Sequence, residues 1–264
     1  MNVYLREMRA GLKPLVFWCL GIGLFLAASM QKFSVFAIDP ASMQMLYELP
    51  QALQDMLGIG YLDFTKASGF FGMMYPYLML MAAVHASMLG AVAVSKEERD
   101  KTAEFLYAKP MPRWAILTAK ILAALTAAAI FNLVTWGASA AFIQSFGGED
   151  MGGNLALLMT GLFLLQLAYL SLGVAAATLA PKAGAAAGIA TGCMLATYFL
   201  SIASDVSGRL GALRAFTPFK YFDARRIIGL GEGLDPAYVA LCLALTLALT
   251  TGAYLRFGRR DLKI

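Results

Sequence analysis

The sequence predicts an all-α membrane protein with six transmembrane helices. Of its 264 residues, 60% are hydrophobic and 14% are charged, whereas a soluble domain carries about 25% charged residues. The apolar residues form continuous runs of about 20 or more, the length that a helix needs to cross a bilayer core. They do not alternate with polar residues as they do in a membrane β-barrel. We therefore expect one transmembrane domain over residues 1–264.

Six apolar runs define the predicted spans. The first follows a basic N-terminal stretch and continues too far for the apolar core of a cleavable signal, so we expect it to be retained. Asp235 and Pro236 are typical of an N-cap and a first-turn proline, and they predict where the last helix begins. The spans are predicted at residues 15–30, 69–94, 114–143, 154–180, 184–204 and 237–255.

The distribution of basic residues predicts the orientation. Of the 21 Lys and Arg residues, 14 lie on the side of the two termini and seven lie on the other side. Since cytoplasmic loops carry the excess of positive charge, both termini and the loop at residues 95–113 are predicted to be cytoplasmic. The net charge of +5 therefore indicates membrane orientation and contact with lipid, and we expect no nucleic-acid partner. The long connections on the outside contain amphipathic stretches, such as residues 43–57, which predict short helices at the outer surface.

The loop between the second and third spans is unusually charged. Glu97 and Lys101 are spaced as a favourable i,i+4 pair, and Pro110 and Pro112 end any helix before the third span. Three further residues share one helical face: Thr102, Phe105 and Leu106. The pattern predicts a short amphipathic helix at the cytoplasmic surface. The alternative is a solvated turn that only joins two spans.

The same loop resembles a motif of the permeases in the type-two ABC exporter family. Residues 97–113 read Glu-Glu-x-x-x-Thr-x-Glu-Phe-Leu-x-x-x-Pro-x-x-Arg, which is similar to the cytoplasmic loop after the second span in that family. The match departs at Lys101, where many members have Gly. Residues 216–223, Phe-Thr-Pro-Phe-Lys-Tyr-Phe-Asp, resemble the family's external element before the last span. The order of these motifs and the six-span plan extend the resemblance over the whole chain.

The resemblance implies a permease domain that works with a motor. In this family the loop docks as a coupling helix into a separate ATPase chain, and two ATPases drive two permeases that export a substrate across the bacterial cytoplasmic membrane. This chain has no Gly-x-x-x-x-Gly-Lys-Ser/Thr phosphate-binding loop, so we expect no enzymatic activity in it and no cofactor of its own. ATP and Mg would be bound by the partner. The resemblance assigns six residues to contact with the ATPase: Glu97, Glu98, Thr102, Glu104, Phe105 and Leu106.

Three glycines in the fifth span recur at every fourth residue. Gly184, Gly188 and Gly192 make a smooth groove that lets another helix approach closely. The groove can serve packing within the chain or contact between two copies. The resemblance favours a homodimer, because the first and fifth spans line the subunit interface in that family.

Three polar side chains within the predicted spans are candidates for a functional role. His85 is the only histidine, and Asn132 and Gln166 are the other two. Polar groups in a membrane often mark a substrate path, but they also form hydrogen bonds between helices. His85 leaves open an intramembrane enzyme, and the charged loop leaves open a scaffold or sensor that recruits a cytoplasmic partner. The acidic residues and the three cysteines have no metal-ligand spacing, so we expect no metal site.

Overall fold

A computed structural model describes residues 2–36, 44, 47–50, 53–54, 58–104, 111–147, 151–207 and 211–259. Within these ranges the protein consists of helices and turns, and no strand is formed beyond one isolated bridge between Ile59 and Leu62. The long helices are α1 (Val3–Phe36), α2 (Ala67–Arg99), α3 (Arg113–Ser145), α4 (Gly152–Leu179), α5 (Ala186–Ser207) and α6 (Pro236–Arg259).

The six long helices confirm the predicted all-α membrane fold. Each contains one of the predicted spans apart from a residue or two at the ends, and each is long and apolar enough to cross a membrane. The helices extend beyond several of the predicted spans because charged and polar residues continue the helix past its apolar part. The start of α6 is as predicted: the Asp235 carboxylate accepts a hydrogen bond from the Ala237 N–H at 3.0 Å, and Pro236 is the first helical residue.

Helices α2 and α4 form the centre of the bundle. Their backbones come into direct contact because glycines lie at the crossing: a Cβ atom at Gly90 would be 2.2 Å from the Leu170 carbonyl oxygen, and one at Gly173 would be 2.2 Å from the Ser87 carbonyl oxygen. Further along the pair, the buried Tyr75 hydroxyl donates to the Leu158 carbonyl at 2.7 Å. Backbone contact at small residues and such hydrogen bonds are the usual basis of helix association in membranes.

Helices α1 and α6 lie at the edges of the bundle. One face of α1 buries Leu15, Ile22 and Leu26, while Phe17 and Leu24 on the opposite face are 78% and 71% exposed. The buried residues recur at the spacing of one helical face. α1 packs mainly on α3, and α6 packs mainly on α4. The outward apolar side chains of both helices are suited to contact with lipid or with another protein chain.

The connections differ from the sequence-based expectation at the start of the charged loop. The short helix predicted from residue 96 does not begin there, because residues 96–99 form the last turn of α2. Ala103 and Glu104 are helical again, and residues 105–110 lie outside the described residues. Between α5 and α6, where the sequence predicted short helices, the described residues form short 3-10 turns at Gly211–Phe216 and Pro218–Lys220 and a π-turn at Arg225–Gly229. Most of the helix predicted at residues 43–57 also lies outside the described residues.

Candidate functional site

A buried group of charges joins three helices at the end of the α2–α3 hairpin. We call it the N-terminal ion cluster, and it consists of Arg6, Glu7, Lys96, Glu97 and Lys120. Arg6 Nη2 lies 2.8 Å from Glu97 Oε1 and 3.0 Å from Glu7 Oε1. Lys96 pairs with Glu7, and Lys120 pairs with Glu97. The cluster therefore links the first turns of α1 to both stems of the charged loop.

The cluster is held inside the protein. The side chains of Lys120, Glu7 and Glu97 are only 1%, 5% and 7% exposed, and Lys120 Nζ also donates to the Ala93 carbonyl at 2.6 Å. Both oxygens of each carboxylate accept a hydrogen bond from a cation. Removing one member of a buried ion pair leaves an uncompensated charge, which costs about 3–5 kcal/mol. The two stems of the loop are therefore expected to move with the first turns of α1.

The charged loop leaves α2 through a hydrogen-bonded helix end. The Thr102 N–H donates to the Glu97 carbonyl at 2.8 Å, and the Lys101 N–H donates to the Glu98 carbonyl at 3.4 Å. These two bonds form a Schellman motif, in which the residue after the cap adopts a left-handed backbone conformation. That residue is Lys101, with φ of 55°. A glycine would adopt this conformation without strain, which gives a physical reason for Gly in the family pattern that the loop resembles.

A second ion cluster lies at the opposite end of the bundle, between the end of α5 and the turns that follow. It contains Asp205, Lys220, Asp223 and Arg225, with Lys220 bonded to Asp205 and Arg225 bonded to Asp223. Burial alone raises the pKa of Asp223, but hydrogen bonds and charge attraction from Arg225 outweigh it, so the pKa of Asp223 lies below its usual value. Burial lowers the pKa of Lys220, although Asp205 opposes this shift. These ion pairs hold residues 216–223, the segment that resembles the family's external element, against α5.

The His85 ring lies in an aromatic environment between α1 and α3. Its centroid is 4.6 Å from the Phe131 ring and 5.4 Å from the Trp18 ring. His85 is 4% exposed, and its Nδ1 atom has no hydrogen-bond partner among the described residues. The ring contacts account for the apolar packing of the imidazole but leave one of its polar atoms unsatisfied.

Comparison with known proteins identifies the family. A family model described as ABC-2 family transporter protein matches residues 1–262. The chain belongs to the ABC-2 transporter family. It is a membrane subunit of an ABC transporter, as the loop motif and the six helices had indicated. A comparison with curated proteins found no match.

The residues assigned to ATPase contact fall into four groups in this ABC-2 protein. Thr102 and Glu104 are exposed on the loop, whereas Glu98 is half-buried in the last turn of α2. Glu97 is 5% exposed and belongs to the N-terminal ion cluster, so its predicted pairing with Lys101 is replaced by pairs with Lys120 and Arg6. The pairing differs because Lys101 lies beyond the end of the helix. Two further predicted contacts, Phe105 and Leu106, lie outside the described residues.

The three polar residues predicted for a substrate path in the ABC-2 subunit have different surroundings. Among the described residues, no hydrogen bond joins any two of them. Asn132 Nδ2 donates to the Met159 carbonyl at 3.1 Å and so links α3 to α4. Gln166 is fully buried in α4, and neither atom of its amide has a hydrogen-bond partner among the described residues. His85 lines a cavity between α1, α2 and α3.

The glycine row of the ABC-2 subunit faces outward. Gly184, Gly188 and Gly192 are all exposed, and a Cβ atom at any of them would meet nothing within 4 Å. The close helix packing inside the chain uses Gly90 and Gly173 instead. Sequence reasoning missed this pair because neither glycine belongs to a repeated spacing.

Several functional candidates were not visible in the sequence. Lys120 was counted only as one basic residue, yet it is the most deeply buried charge in the N-terminal ion cluster. Glu7 and Arg6 had no assigned role, although they connect α1 to the loop. The available signal was a lysine about two turns into an apolar span, since a charge at that depth needs a partner.

Proposed function

We propose that this ABC-2 protein is the permease half of an exporter driven by a separate ATPase. Two copies would form a homodimer in a bacterial cytoplasmic membrane, each with both termini in the cytoplasm and each bound to one ATPase chain. The whole of residues 1–264 would act as one permease domain. ATP and Mg would bind to the ATPase, and the permease would supply the route for the substrate.

The observation that carries the proposal is the connection between the charged loop and the helices. Glu97 lies one residue before Glu98 and five residues before the exposed Thr102, and its carboxylate is bonded to Lys120 of α3 and Arg6 of α1. Force applied to the loop would therefore act on three helices together. A loop that only joined two spans would not require buried charges at its base, because burying them is costly.

The exposed and apolar residues of the loop provide the docking surface. Thr102 and Glu104 are exposed and would fix the register of the contact, while Phe105 and Leu106 would insert into the ATPase. Large apolar anchors supply most of the binding energy at such interfaces, and charged residues at the rim give specificity. Glu97, which is buried, would hold the loop at a fixed position. Glu98 would take part in the ATPase contact from the last turn of α2.

The ATPase contact is tested by co-purification with an ATPase chain that carries a phosphate-binding loop. The double variant Phe105→Asp, Leu106→Asp is expected to lose the ATPase while the permease still elutes as a single species. The matched control is Phe216→Asp, Leu230→Asp, which changes two apolar residues that are 71% and 56% exposed near the other end of the bundle. Retention of the ATPase by the first variant, or equal loss in both, would contradict the docking assignment.

The orientation is tested with single cysteines in a background that lacks the three native ones. Thr102→Cys and Gly233→Cys both change exposed residues, and they lie at opposite ends of the bundle. A membrane-impermeant thiol reagent added to intact cells is expected to label residue 233 and to leave residue 102 unlabelled. Labelling of residue 102 from outside would reverse the topology and remove the ATPase contact.

The homodimer is proposed to form through the outward glycine row of α5. Gly184 lies in the 3-10 turn that leads into α5, and Gly188 and Gly192 lie in the first two turns of the helix. Ile189 and Phe199 are also exposed, so two copies could pack closely there. Gly188→Leu is expected to reduce the dimer fraction measured by light scattering in detergent, because leucine separates the helices. Gly252→Leu is the control, since Gly252 is exposed on α6 with nothing within 4 Å. An unchanged dimer fraction in Gly188→Leu would place the interface elsewhere.

A further inference from the structure

A cavity of about 350 Å³ lies between α1, α2 and α3 within a single subunit. Pockets that bind small molecules usually occupy about 300–1,000 Å³ and have apolar walls with a few polar groups. The walls here include Leu15, Leu89 and Ala124, and the polar groups lie at the two ends. The exposed residues on its border are Ala10, Pro14 and Met88, which places an opening between α1 and α2.

The cavity is elongated along the helices. One end is lined by Glu7, Lys96 and Lys120, and the other is lined by Trp18 and His85. On each of α1 and α2 the two ends are eleven residues apart, which corresponds to about 16 Å at the helical rise of 1.5 Å per residue. The shape suits a long, narrow ligand whose two ends differ in polarity.

The charged end has a surplus of positive charge. The ion pairs of the N-terminal ion cluster join three cations to two carboxylates, so one positive charge has no matching negative charge within the cluster. Lys96 lies nearest to solvent among the lysines of the cluster, with its side chain 22% exposed, and it bonds to a single carboxylate oxygen. An ammonium group has three donors, so Lys96 can bind an anionic group while it keeps Glu7.

The other end offers an unsatisfied polar atom. His85 Nδ1 is buried and has no hydrogen-bond partner among the described residues. A hydroxyl group can donate or accept a hydrogen bond, so it can pair with this atom whichever ring nitrogen carries the proton. A ligand with a hydroxyl on its apolar body would satisfy His85 without a second charge.

We propose that this cavity binds a single-chain amphiphile with its anionic head beside Lys96 and its apolar body extending to His85. The head would be a carboxylate or a phosphate, both of which form charge-assisted hydrogen bonds with an ammonium group. The site lies inside one subunit and goes beyond the proposed export function, because it requires neither the ATPase nor a second copy. Its occupant would contact the N-terminal ion cluster and thereby the base of the charged loop.

The test uses the fluorescence of Trp18, which lines the cavity. The other two tryptophans, Trp114 and Trp136, are replaced by Phe, and the permease alone is placed in nanodiscs of phosphatidylcholine. Dibromostearate, a single-chain carboxylate with a heavy-atom quencher, is expected to quench Trp18 with a saturable curve. The methyl ester of the same chain is expected to bind about tenfold more weakly, because it lacks the charge-assisted bond.

Variants decide whether the quenching comes from the cavity. Ala124→Phe fills the cavity and is expected to abolish the saturable component, whereas Ala141→Phe adds the same group to an exposed position of α3 and is expected to leave it unchanged. If Ala124→Phe does not fold, Ala127→Leu fills the same wall more gently. Lys96→Gln is expected to bind dibromostearate no better than its ester. A dibromophosphonate of equal length shows whether phosphate-type heads also bind.

Competition tests the far end of the site. A stearate with a mid-chain hydroxyl is expected to displace the probe at a concentration about threefold to tenfold lower than stearate does, and His85→Phe is expected to remove this advantage. Quenching that rises without saturation and equally for acid and ester would overturn the proposal, as would identical curves for Ala124→Phe and Ala141→Phe. Equal displacement by the two stearates would overturn the role given to His85.

Discussion

The glycine contacts between α2 and α4 give the sharpest prediction about the fold. In Gly173→Ala the new Cβ atom would lie 2.2 Å from the Ser87 carbonyl oxygen and 2.8 Å from the Ala91 backbone nitrogen. Both neighbours are backbone atoms of α2, so they cannot rotate away as a side chain could. Relief of the clash requires the two helices to separate by about 1 Å, and that loosens the close packing on which the pair depends.

The loss of stability in Gly173→Ala follows from these distances. Overpacking a tight core costs about 1–3 kcal/mol, and a contact with rigid backbone belongs at the upper end of that range. Alanine contributes about 0.5–1 kcal/mol of stability in the opposite direction, because it favours the helix more than glycine does. The net loss is about 2 kcal/mol. For a protein of this size that corresponds to a fall of about 4–8 °C in the midpoint of thermal unfolding.

The assay is thermal unfolding in detergent, followed by the loss of the monodisperse elution peak. The matched control is Gly137→Ala in the second half of α3, where a Cβ atom would meet nothing within 4 Å. The control is expected to melt at the wild-type temperature or slightly above it. If Gly173→Ala melts with the control, the two helices are not in backbone contact at this position, and the account of the bundle centre is wrong.

Three further predictions concern the charged residues. Lys101→Gly is expected to raise the free energy of unfolding by up to about 1 kcal/mol, because glycine adopts a φ of 55° without strain. Thermal unfolding measures this change. An unchanged stability would contradict the left-handed conformation of residue 101 at the end of α2. Lys120→Met is expected to lower the free energy of unfolding by about 1–3 kcal/mol, because one buried oxygen of Glu97 loses its hydrogen bond while Arg6 keeps the other. The double variant Glu97→Gln, Lys120→Met is expected to recover most of the loss, and a double variant no better than the single one would argue against the pair. Because the pKa of Asp223 is lowered, its ion pair should stabilise the protein fully above about pH 4 and progressively less as the pH falls through the folded-state pKa. Melting curves of wild type and Asp223→Asn between about pH 3 and pH 7 should therefore differ by about 2 kcal/mol at neutral pH. The difference should narrow at the acid end of this range, and a constant difference would refute the assignment.

The positions of the helices could be predicted because each span must satisfy its own backbone hydrogen bonds in lipid. That requirement is local, so it can be read from a continuous apolar run without knowledge of any neighbour. Asp235 illustrates the same point, since an N-cap bonds to a backbone N–H only two residues away. The loop motif was equally local, and it led to the family that the comparison confirmed.

Pairings between distant residues could not be predicted in this way. Glu97 was assigned to Lys101, four residues along a helix, but it is bonded to Lys120 and Arg6, which are distant in sequence. The glycine row at Gly188 was conspicuous by its spacing, yet Gly173 makes the close contact inside the chain. Spacing within one helix shows which residues share a face but does not show which helix that face meets.

The sequence by itself determined the class of the protein, the number of its helices and its family, because all three depend on local composition and on one contiguous motif. The tertiary structure alone decided which charges are paired, which glycines are in contact and where His85 lies. These features depend on the approach of helices that are separated by long stretches of chain. The physical reason is that burial creates them: a charge, a glycine or an imidazole acquires its role from the groups that replace water and lipid around it.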